Sequence, residues 1–237
     1  MRWAAAFVAI AAGCGFSPAA PTDAAHDAAP GAPSDASPPA DVATCTVTGS
    51  GALVAAGTIG GTGGTAEPAL ACAPSELPIG IQLDMSSAPI DNHGDEVVAV
   101  ATHLRCGTIA RDGSGAMVTT PAELVTQPGG QGGGNCSQYF PTTATTEVDC
   151  PTGAVIVGLD GNLPEDTLFN SLTITCAALS STLVTTTTVA LPVDATGDSD
   201  QLQHAPCPAG TALVQLGLHG ACGQDELLPQ CAALACQ

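Results

Sequence analysis

A cysteine-bracketed unit occurs three times in the chain, and this repeat restricts the fold more than any other feature of the sequence. The central copy, Cys150 to Cys176, opens Cys-Pro-Thr-Gly-Ala-Val-Ile-Val-Gly-Leu, and the third, Cys207 to Cys236, opens Cys-Pro-Ala-Gly-Thr-Ala-Leu-Val-Gln-Leu. The first runs from Cys72 to Cys106. In every copy an acidic pair ends ten residues before the last cysteine (Asp95-Glu96, Glu165-Asp166 and Asp225-Glu226). One internal offset shared by three units predicts a structure assembled from three related pieces.

Each unit has the side-chain pattern of a β-hairpin. In the central unit, apolar residues recur at every second position of two short runs (Val155, Val157 and Leu159, then Leu172, Ile174 and Cys176). A period of two places one set of side chains on a buried face, with Ile156, Gly158 and the threonines on the other. Gly, Asn, Pro and Asp lie between the runs and favour a turn. Each unit is therefore predicted to be a hairpin whose apolar face must be buried against the other units.

The central unit also carries a family resemblance. The run from Glu165 to Cys176, Glu-Asp-Thr-Leu-Phe-Asn-Ser-Leu-Thr-Ile-Thr-Cys, resembles the Asp-Asp-Thr-Ala-x-Asn repeat of vitelline membrane outer layer protein I. The likeness extends over roughly 44–237. It implies an all-β fold, namely a β-prism of three cysteine-bracketed antiparallel units with pseudo-threefold symmetry. It also implies a link to carbohydrate, because that family is associated with transfer of chito-oligosaccharides and its fold also occurs in lectins.

The N-terminus has the features of an export signal. Residues 1–13 are predicted to be a signal peptide, with Arg2 as the positive residue and an apolar core that is too short to span a bilayer as a helix. The run Ile-Ala-Ala-Gly-Cys that ends at Cys14 resembles a bacterial lipobox. Lipidation of Cys14 is therefore expected, the alternative being ordinary cleavage that leaves a spare cysteine. The expected location is the outer membrane of a Gram-negative bacterium, facing the cell surface or the periplasm.

Two further regions follow the signal peptide. Residues 14–43 consist of the lipidated cysteine and a stretch of Ala, Pro, Asp and Ser, which is too poor in large apolar residues to fold and is predicted to be a disordered tether. Residues 44–237 are predicted to be one disulfide-rich β-prism domain. Its third unit lacks the strand that follows the other two, and the segment Thr44 to Thr58 has the missing pattern. We therefore expect the N-terminal strands to complete the third unit and close a ring.

Ten cysteines remain once Cys14 is set aside, and an exported chain can oxidise them. The repeat suggests that each unit is closed by its own disulfide bond, that one further bond crosses the last acidic turn, and that the two remaining cysteines pair by elimination. The predicted pairs are Cys72–Cys106, Cys150–Cys176, Cys207–Cys236, Cys222–Cys231 and Cys45–Cys136. Zinc is the competing interpretation, and the absence of any Cys-x-x-Cys pair argues against it.

The charge balance excludes several partners. After removal of the signal peptide, Arg105 and Arg111 are the only Lys or Arg residues. The chain has 22 Asp and Glu residues, so the net charge is 2 − 22 = −20. Such a surface repels nucleic acid and anionic lipid, so membrane contact is expected through the lipid anchor only. A monomer is expected. No organic cofactor is predicted, and calcium is the metal to consider, at four residues of one run (Asp91, Asn92, Asp95 and Glu96). The preferred interpretation of this run is that its residues form a solvated turn.

No catalytic constellation stands out, and three functions remain open. The leading one is a non-enzymatic, cell-surface protein that binds glycan through its loops, with candidate ligand-binding residues at Tyr139, Phe140, Glu165, Asp166 and Asn170. The second is a structural envelope protein without a ligand. The third is a weak carbohydrate-active enzyme acting on chito-oligosaccharides, although the adjacent side chains of Glu165 and Asp166 are expected to point apart. His103 and His219 lie in strand-like stretches and are interpreted as structural.

Overall fold

The computed structural model describes residues 44–61, 64–86, 97–127, 142–163, 171–193, 202–220 and 224–237. The chain divides into two units, Met1–Pro38 and Pro39–Gln237, and the described residues all belong to the second. They form thirteen β-strands and contain no helix. Among them there is accordingly no helix long and apolar enough to cross a membrane. The predictions for the signal peptide, Cys14 and the tether lie outside the described residues.

The strands are short and follow one another closely along the chain. Their bounds are β1 Cys45–Ala55, β2 Ile59–Gly60, β3 Thr65–Ala71, β4 Leu77–Ser86, β5 Val98–Arg111, β6 Met117–Val125, β7 Ala144–Asp149, β8 Ala154–Asn162, β9 Ser171–Leu179, β10 Thr185–Pro192, β11 Leu202–Pro206, β12 Thr211–Gly220 and β13 Gln224–Cys236.

Twelve of these strands form three antiparallel sheets of four. The first sheet has the order β6-β5-β4-β7, the second β10-β9-β8-β11 and the third β1-β13-β12-β3. A short pairing of Cys45–Val47 in β1 with Ile109–Arg111 in β5 joins the first sheet to the third, and β2 adds to β13. The predicted fold class is confirmed: the chain is an all-β β-prism of three cysteine-bracketed antiparallel units with pseudo-threefold symmetry.

The sheets exchange strands in a cycle. Each sheet contains one hairpin (β4-β5, β8-β9 or β12-β13). The strand just before a hairpin in the sequence pairs with the hairpin of the preceding sheet, so that β7 pairs with β4 and β11 with β8. The first hairpin has no predecessor in the chain, so its leading strand, β3, pairs with β12 of the third sheet. On the far side of that sheet, β1 pairs with β13. The prediction that N-terminal strands complete the third unit and close the ring is confirmed.

One strand of the central unit departs from the predicted alternation. Leu172, Ile174 and Cys176 are buried on one face of β9, as predicted. In β8, however, Ile156 is fully buried and Val157 is only half-buried, which reverses the prediction for this pair. The cause is a β-bulge between Ile156 and Gly158, because an extra residue on one strand shifts the alternation to the opposite face. Equivalent bulges follow Pro78 in β4 and Leu213 in β12.

The bulges divide the apolar interior into two clusters. The larger contains side chains from all three sheets, with Ile81, Leu159 and Leu216 at the second paired position past each bulge. The smaller collects buried residues from near the opposite ends of the same hairpins, together with one residue of β1 (Leu77, Ile79, Ile109, Val155, Leu179, Ala212 and Val47). The first sheet thus contributes three residues to the smaller cluster and each of the others two, so all three units take part in the packing.

Four disulfide bonds lie within the described residues. Two predicted pairs, Cys72–Cys106 and Cys150–Cys176, are confirmed. The predicted pair Cys207–Cys236 is wrong, because Cys207 bonds Cys231 and Cys236 bonds Cys45. The predicted pairs Cys222–Cys231 and Cys45–Cys136 are therefore also wrong. Cys136 and Cys222 lie outside the described residues.

The pseudo-symmetry explains why Cys231 rather than Cys236 is the partner of Cys207. Cys106, Cys176 and Cys231 occupy the same place in their hairpins, opposite the last residue before the bulge. Cys236 lies at the end of β13, near the start of β1, where Val47 is its Cα partner. Cys231 and Cys236 lie five residues apart, and the spacing from the acidic pair predicts the wrong one of the two.

The Cys45–Cys236 bond occupies the position of a turn. In the first sheet, β5 and β6 are joined by the turn 112–116, and in the second, β9 and β10 by the turn 180–184. The corresponding strands of the third sheet, β13 and β1, are far apart in the sequence. They are joined by this disulfide bond and by two backbone hydrogen bonds of 2.9 Å, from Thr46 N–H to Gln237 O and from Gln237 N–H to Thr46 O.

Candidate binding surface at one end of the prism

The two ends of the prism differ in their connections. At one end, which we call the turn end, short described segments join the strands (72–76, 112–116, 150–153, 180–184 and 207–210). We call the opposite end the loop end. At this end, the last residue of the first strand of each hairpin is the Cα partner of the first residue of the second strand. The three pairs are Ser86 with Val98, Asn162 with Ser171, and Gly220 with Gln224. Because the short connections 72–76, 150–153 and 207–210 lead into β4, β8 and β12, all three hairpins start at the turn end and point the same way.

The candidate site residues belong to connections that start and finish at the loop end. The ligand-binding candidates are Tyr139 and Phe140 between β6 and β7, and Glu165, Asp166 and Asn170 between β8 and β9; the calcium candidates Asp91, Asn92, Asp95 and Glu96 lie between β4 and β5. All nine lie outside the described residues, so these assignments remain predictions. What the structure shows is that the three connections leave the scaffold at one end.

A buried polar network fixes the scaffold where the connection between β6 and β7 begins. Gln127, two residues past β6 and only 4 % exposed, donates its backbone N–H to Nδ1 of His103 at 3.1 Å. Its side-chain Oε1 accepts from the N–H of Thr102 at 3.1 Å, and its Nε2 donates to Oε2 of Glu67 at 2.5 Å. Glu67 belongs to β3, so one glutamine ties the first sheet to the third.

The same network continues across the first sheet. His103 Nε2 lies 3.2 Å from Oδ2 of Asp84, and the hydroxyl of Thr145 donates to Oδ1 of Asp84 at 3.0 Å. Both ring nitrogens of His103 are therefore engaged, and the ring is buried, which confirms its interpretation as a structural histidine. The other end of the β6–β7 connection is also anchored, because the backbone N–H of Thr143 donates to the carbonyl of Met85 at 2.7 Å.

The remaining described histidines pair with carboxylates on neighbouring strands. His204 Nδ1 lies 2.7 Å from Oδ1 of Asp160, and His219 Nδ1 lies 2.8 Å from Oε2 of Glu226. Each pair links directly opposed residues of antiparallel strands. His219 thus has a carboxylate partner on the neighbouring strand, as expected of a structural histidine.

A second glutamine ties the second sheet to the third at the loop end. Gln203 of β11 accepts from the N–H of Gly60 through Oε1 at 2.7 Å and donates through Nε2 to the carbonyl of Gly60 at 3.3 Å. Gly60 in turn pairs with Glu226 of β13. Sequence reasoning missed Gln127 and Gln203, and the only local signal was the position of Gln127 between a strand pattern and the Gly-rich run.

Both cations of the domain are engaged in the scaffold. Arg105 donates from Nε to Oδ1 of Asp149 at 2.5 Å, from Nη2 to Oδ2 at 3.0 Å, and from Nη1 to Glu147 at 2.6 Å. The hydrogen bond to Asp149 raises the pKa of Arg105, and the coulombic attraction of both carboxylates adds to it. Arg111 donates from Nη1 to the carbonyl of Ser181 at the turn end, at 2.8 Å.

The part of the chain that the structure describes holds no metal cluster, and three of its pockets are small. Its residues include no group of three or more His, Cys, Asp or Glu placed to hold an ion. Pockets of about 280, 200 and 160 Å³ lie beside Arg111 and Gln237, beside Ile79 and Pro121, and beside Leu77 and Val214. They lie near the bulges and the turn end, and each is smaller than the roughly 300–1,000 Å³ typical of ligand sites.

No protein-family model and no curated protein sequence matches the chain. Among solved structures, the agglutinin of Calystegia sepium is similar over 78% of this chain and 99% of its own, with 14% identity and a TM-score of 0.46. The Calsepa lectin in complex with a biantennary N-glycan has 15% identity over 78% and 99%, with a TM-score of 0.46. A mannose-specific jacalin-related lectin from Morus nigra in complex with mannose has 16% identity over 78% and 97%, with a TM-score of 0.45. The β-prism itself rests on the threefold strand pairing described above.

Proposed function

We propose that the chain is a non-enzymatic surface lipoprotein that binds a neutral glycan at the loop end. One observation carries the proposal: the three connections that contain the candidate residues leave the scaffold together, at the end opposite the short turns. Loops held by a rigid framework are the usual location of binding residues. The framework here is held by cystines and by the clamps of Gln127 and Gln203. The resemblance to vitelline membrane outer layer protein I, and the sugars bound by the lectins above, are compatible with this ligand class.

The candidate residues have the chemistry that a sugar requires. Aromatic rings offer an apolar face on which the C–H side of a pyranose can stack, and Tyr139-Phe140 would supply it. Carboxylate and amide groups accept hydrogen bonds from sugar hydroxyls, a role assigned to Glu165, Asp166 and Asn170. Calcium held by Asp91, Asn92, Asp95 and Glu96 would offer open coordination positions to the hydroxyl oxygens of a sugar. The strongly acidic chain favours neutral over anionic glycans.

The point of attachment supports a role at the surface. Thr44, where the tether would join the domain, immediately precedes Cys45 at the turn end. A chain lipidated at Cys14 would therefore be attached through the end of the domain opposite the loops. A proline-rich tether of the length of residues 14–43 reaches up to about 90 Å when extended. In this proposal the protein is a monomer that contacts the outer membrane only through its lipid.

A glycan array probed with the mature protein tests the proposal. We expect binding to a defined set of neutral glycans, weakened about tenfold or more by Tyr139→Ala because the stacking surface is lost. Tyr139→Phe retains the ring and should retain binding. Val184→Ala, at an exposed position of the turn end, is the matched control and should bind like the wild type.

Two outcomes would contradict the proposal. Failure of the folded protein to bind any glycan would favour a structural envelope protein without a ligand. Release of labelled sugar from chito-oligosaccharides, abolished by Glu165→Gln or Asp166→Asn, would show instead that the chain is a carbohydrate-active enzyme.

A further inference from the structure

The contact between Gln127 and His103 has a fixed donor and acceptor. Both residues are buried, with exposed fractions of 4 % and 5 %. The donor at Nδ1 is a backbone N–H, which can only donate, so Nδ1 must carry a lone pair. The proton of the neutral ring is then on Nε2, where it is donated to Asp84. The position of Gln127 therefore depends on a neutral His103.

We propose that this contact is an acid-sensitive latch between the first and third sheets at the loop end. Protonation of His103 places a second N–H on Nδ1, directed at the N–H of Gln127. Two donors cannot form a hydrogen bond, and a buried donor without an acceptor is unfavourable, so the contact opens. Release of Gln127 also removes its bonds to Thr102 and Glu67, because the same residue makes all three.

The charged groups around His103 determine which of its two hydrogen bonds breaks when the ring is protonated. Charged residues on the strands that surround it are Asp84 on β4, Glu147 and Asp149 on β7, Glu67 on β3, Glu123 on β6, and Arg105 and Arg111 on its own strand β5. Asp84 accepts from Nε2 and can continue to do so when the ring is charged. Glu147 and Asp149 are already bonded to Arg105. Acidification therefore leaves the Asp84 contact in place and breaks the one to Gln127.

The other described histidines provide an internal comparison. His204 and His219 both direct Nδ1 at a carboxylate oxygen, so a proton on that nitrogen strengthens the contact. Among the described residues, His103 alone has Nδ1 opposite a backbone N–H. The latch does not depend on glycan binding, although its opening would move Gln127, which lies at the start of the β6–β7 connection.

Nuclear magnetic resonance on the uniformly ¹⁵N-labelled full chain without ligand tests the latch. On stepwise acidification of the folded chain, we expect the Gln127 amide resonance to shift together with the His103 ring nitrogens. The protection of that amide against hydrogen exchange should fall about tenfold beyond the intrinsic pH effect, the factor that corresponds to one hydrogen bond. His103→Asn, which offers an amide oxygen near the place of Nδ1 and does not titrate, should make the Gln127 resonance independent of pH. His204→Asn is the matched control and should leave the transition unchanged.

Three results would overturn the latch: a Gln127 amide that stays constant while the His103 ring titrates, a transition that persists in His103→Asn, or a ring that stays neutral throughout the folded range. The wild-type comparison of midpoints needs no variant, so the test survives if His103→Asn fails to fold. Tyr139 is the only tyrosine of the chain, so 3-fluorotyrosine gives a single ¹⁹F signal from the β6–β7 connection. That signal reports independently whether opening of the latch is felt there.

Discussion

The two ends of the prism are stabilised in different ways. At the turn end, local hydrogen bonds, cystines and the smaller apolar cluster hold short connections. At the loop end, two glutamine clamps join sheets whose connecting segments are mostly longer. Because the cystines, the turns and the two clamps hold the framework, the connections at the loop end can differ in sequence while it remains. This division of roles is typical of scaffolds that display binding loops.

Two turns of the turn end show how different sequences form the same structure. The N–H of Asp112 donates to the carbonyl of Ala116, and the N–H of Ser180 to the carbonyl of Val184, both at 2.9 Å. In each turn the first side chain accepts from backbone N–H groups two and four residues later. The left-handed position is Gly115 in one (φ 87°) and Leu183 in the other (φ 60°). The conformation is therefore set by the sheet, and the residues adapt to it.

The largest effect is expected from removal of the bond that replaces a turn. Cys45→Ser combined with Cys236→Ser opens a sequence separation of 191 residues and should lower the free energy of unfolding by about 5 kcal/mol on the chain-entropy model. Cys150→Ser with Cys176→Ser opens only 26 residues, for a loss of about 3.5 kcal/mol. Denaturant unfolding followed by circular dichroism measures both. The reverse order would show that the turn end does not depend on this closure.

The next largest loss of stability is expected where alanine replaces a glycine at a close contact. A Cβ on Gly80 would overlap the Asp149 carboxylate and the carbonyl oxygen of Val148, so Gly80→Ala should cost about 3 kcal/mol. At the loop end, Gly161→Ala would overlap the side chain of Ile59, with an expected cost of about 2 kcal/mol because a side chain yields more readily than backbone. Gly113→Ala meets nothing within 4 Å and is the control. Thermal unfolding would contradict this account if the control were as unstable as the other two.

Leu183 tests the left-handed position at the turn end. Its backbone conformation is unfavourable for leucine by about 1 kcal/mol or more, and its side chain packs on the smaller apolar cluster. Leu183→Ala keeps the strain and loses the packing, so a loss of about 1–2 kcal/mol is expected. Leu183→Gly loses the same packing but relieves the strain, so it should be more stable than Leu183→Ala. An alanine variant that unfolds at the higher temperature would disprove the strain.

The smallest effect is a pH dependence at the first turn. Hydrogen bonds from Ser114, with further ones from the backbone of the turn, lower the pKa of Asp112. The unfolded chain then binds a proton more readily than the folded one, so this contribution to stability is present above about pH 4 and is lost on further acidification. Asp112→Asn keeps an oxygen acceptor without the charge, and should flatten the stability profile in that window only. An unchanged profile in urea titrations between about pH 5 and about pH 2.5 would contradict the assignment.

Part of this fold could be predicted from sequence because it depends on short-range pattern. The alternation in β9, the bond between Cys150 and Cys176 and the closing role of the first strands follow from period and repeat. The change of face in β8 could not be predicted, because a bulge depends on the partner strand. The shared offset of ten residues predicted the wrong partner for Cys207. In the third unit Glu226 lies within β13 opposite His219, whereas in the central unit Glu165 and Asp166 precede β9. The contact between Gln127 and Glu67 joins residues 60 positions apart and leaves no local signal.

The position of Cys45 has a mechanical consequence. Any pull on the domain through its N-terminal extension enters at Thr44 and meets the cystine to Cys236 at the next residue. The force then passes directly into β13, which lies inside its sheet between β1 and β12, so β1 is not peeled away one hydrogen bond at a time. The domain would therefore resist unzipping under a force applied from its N-terminal side.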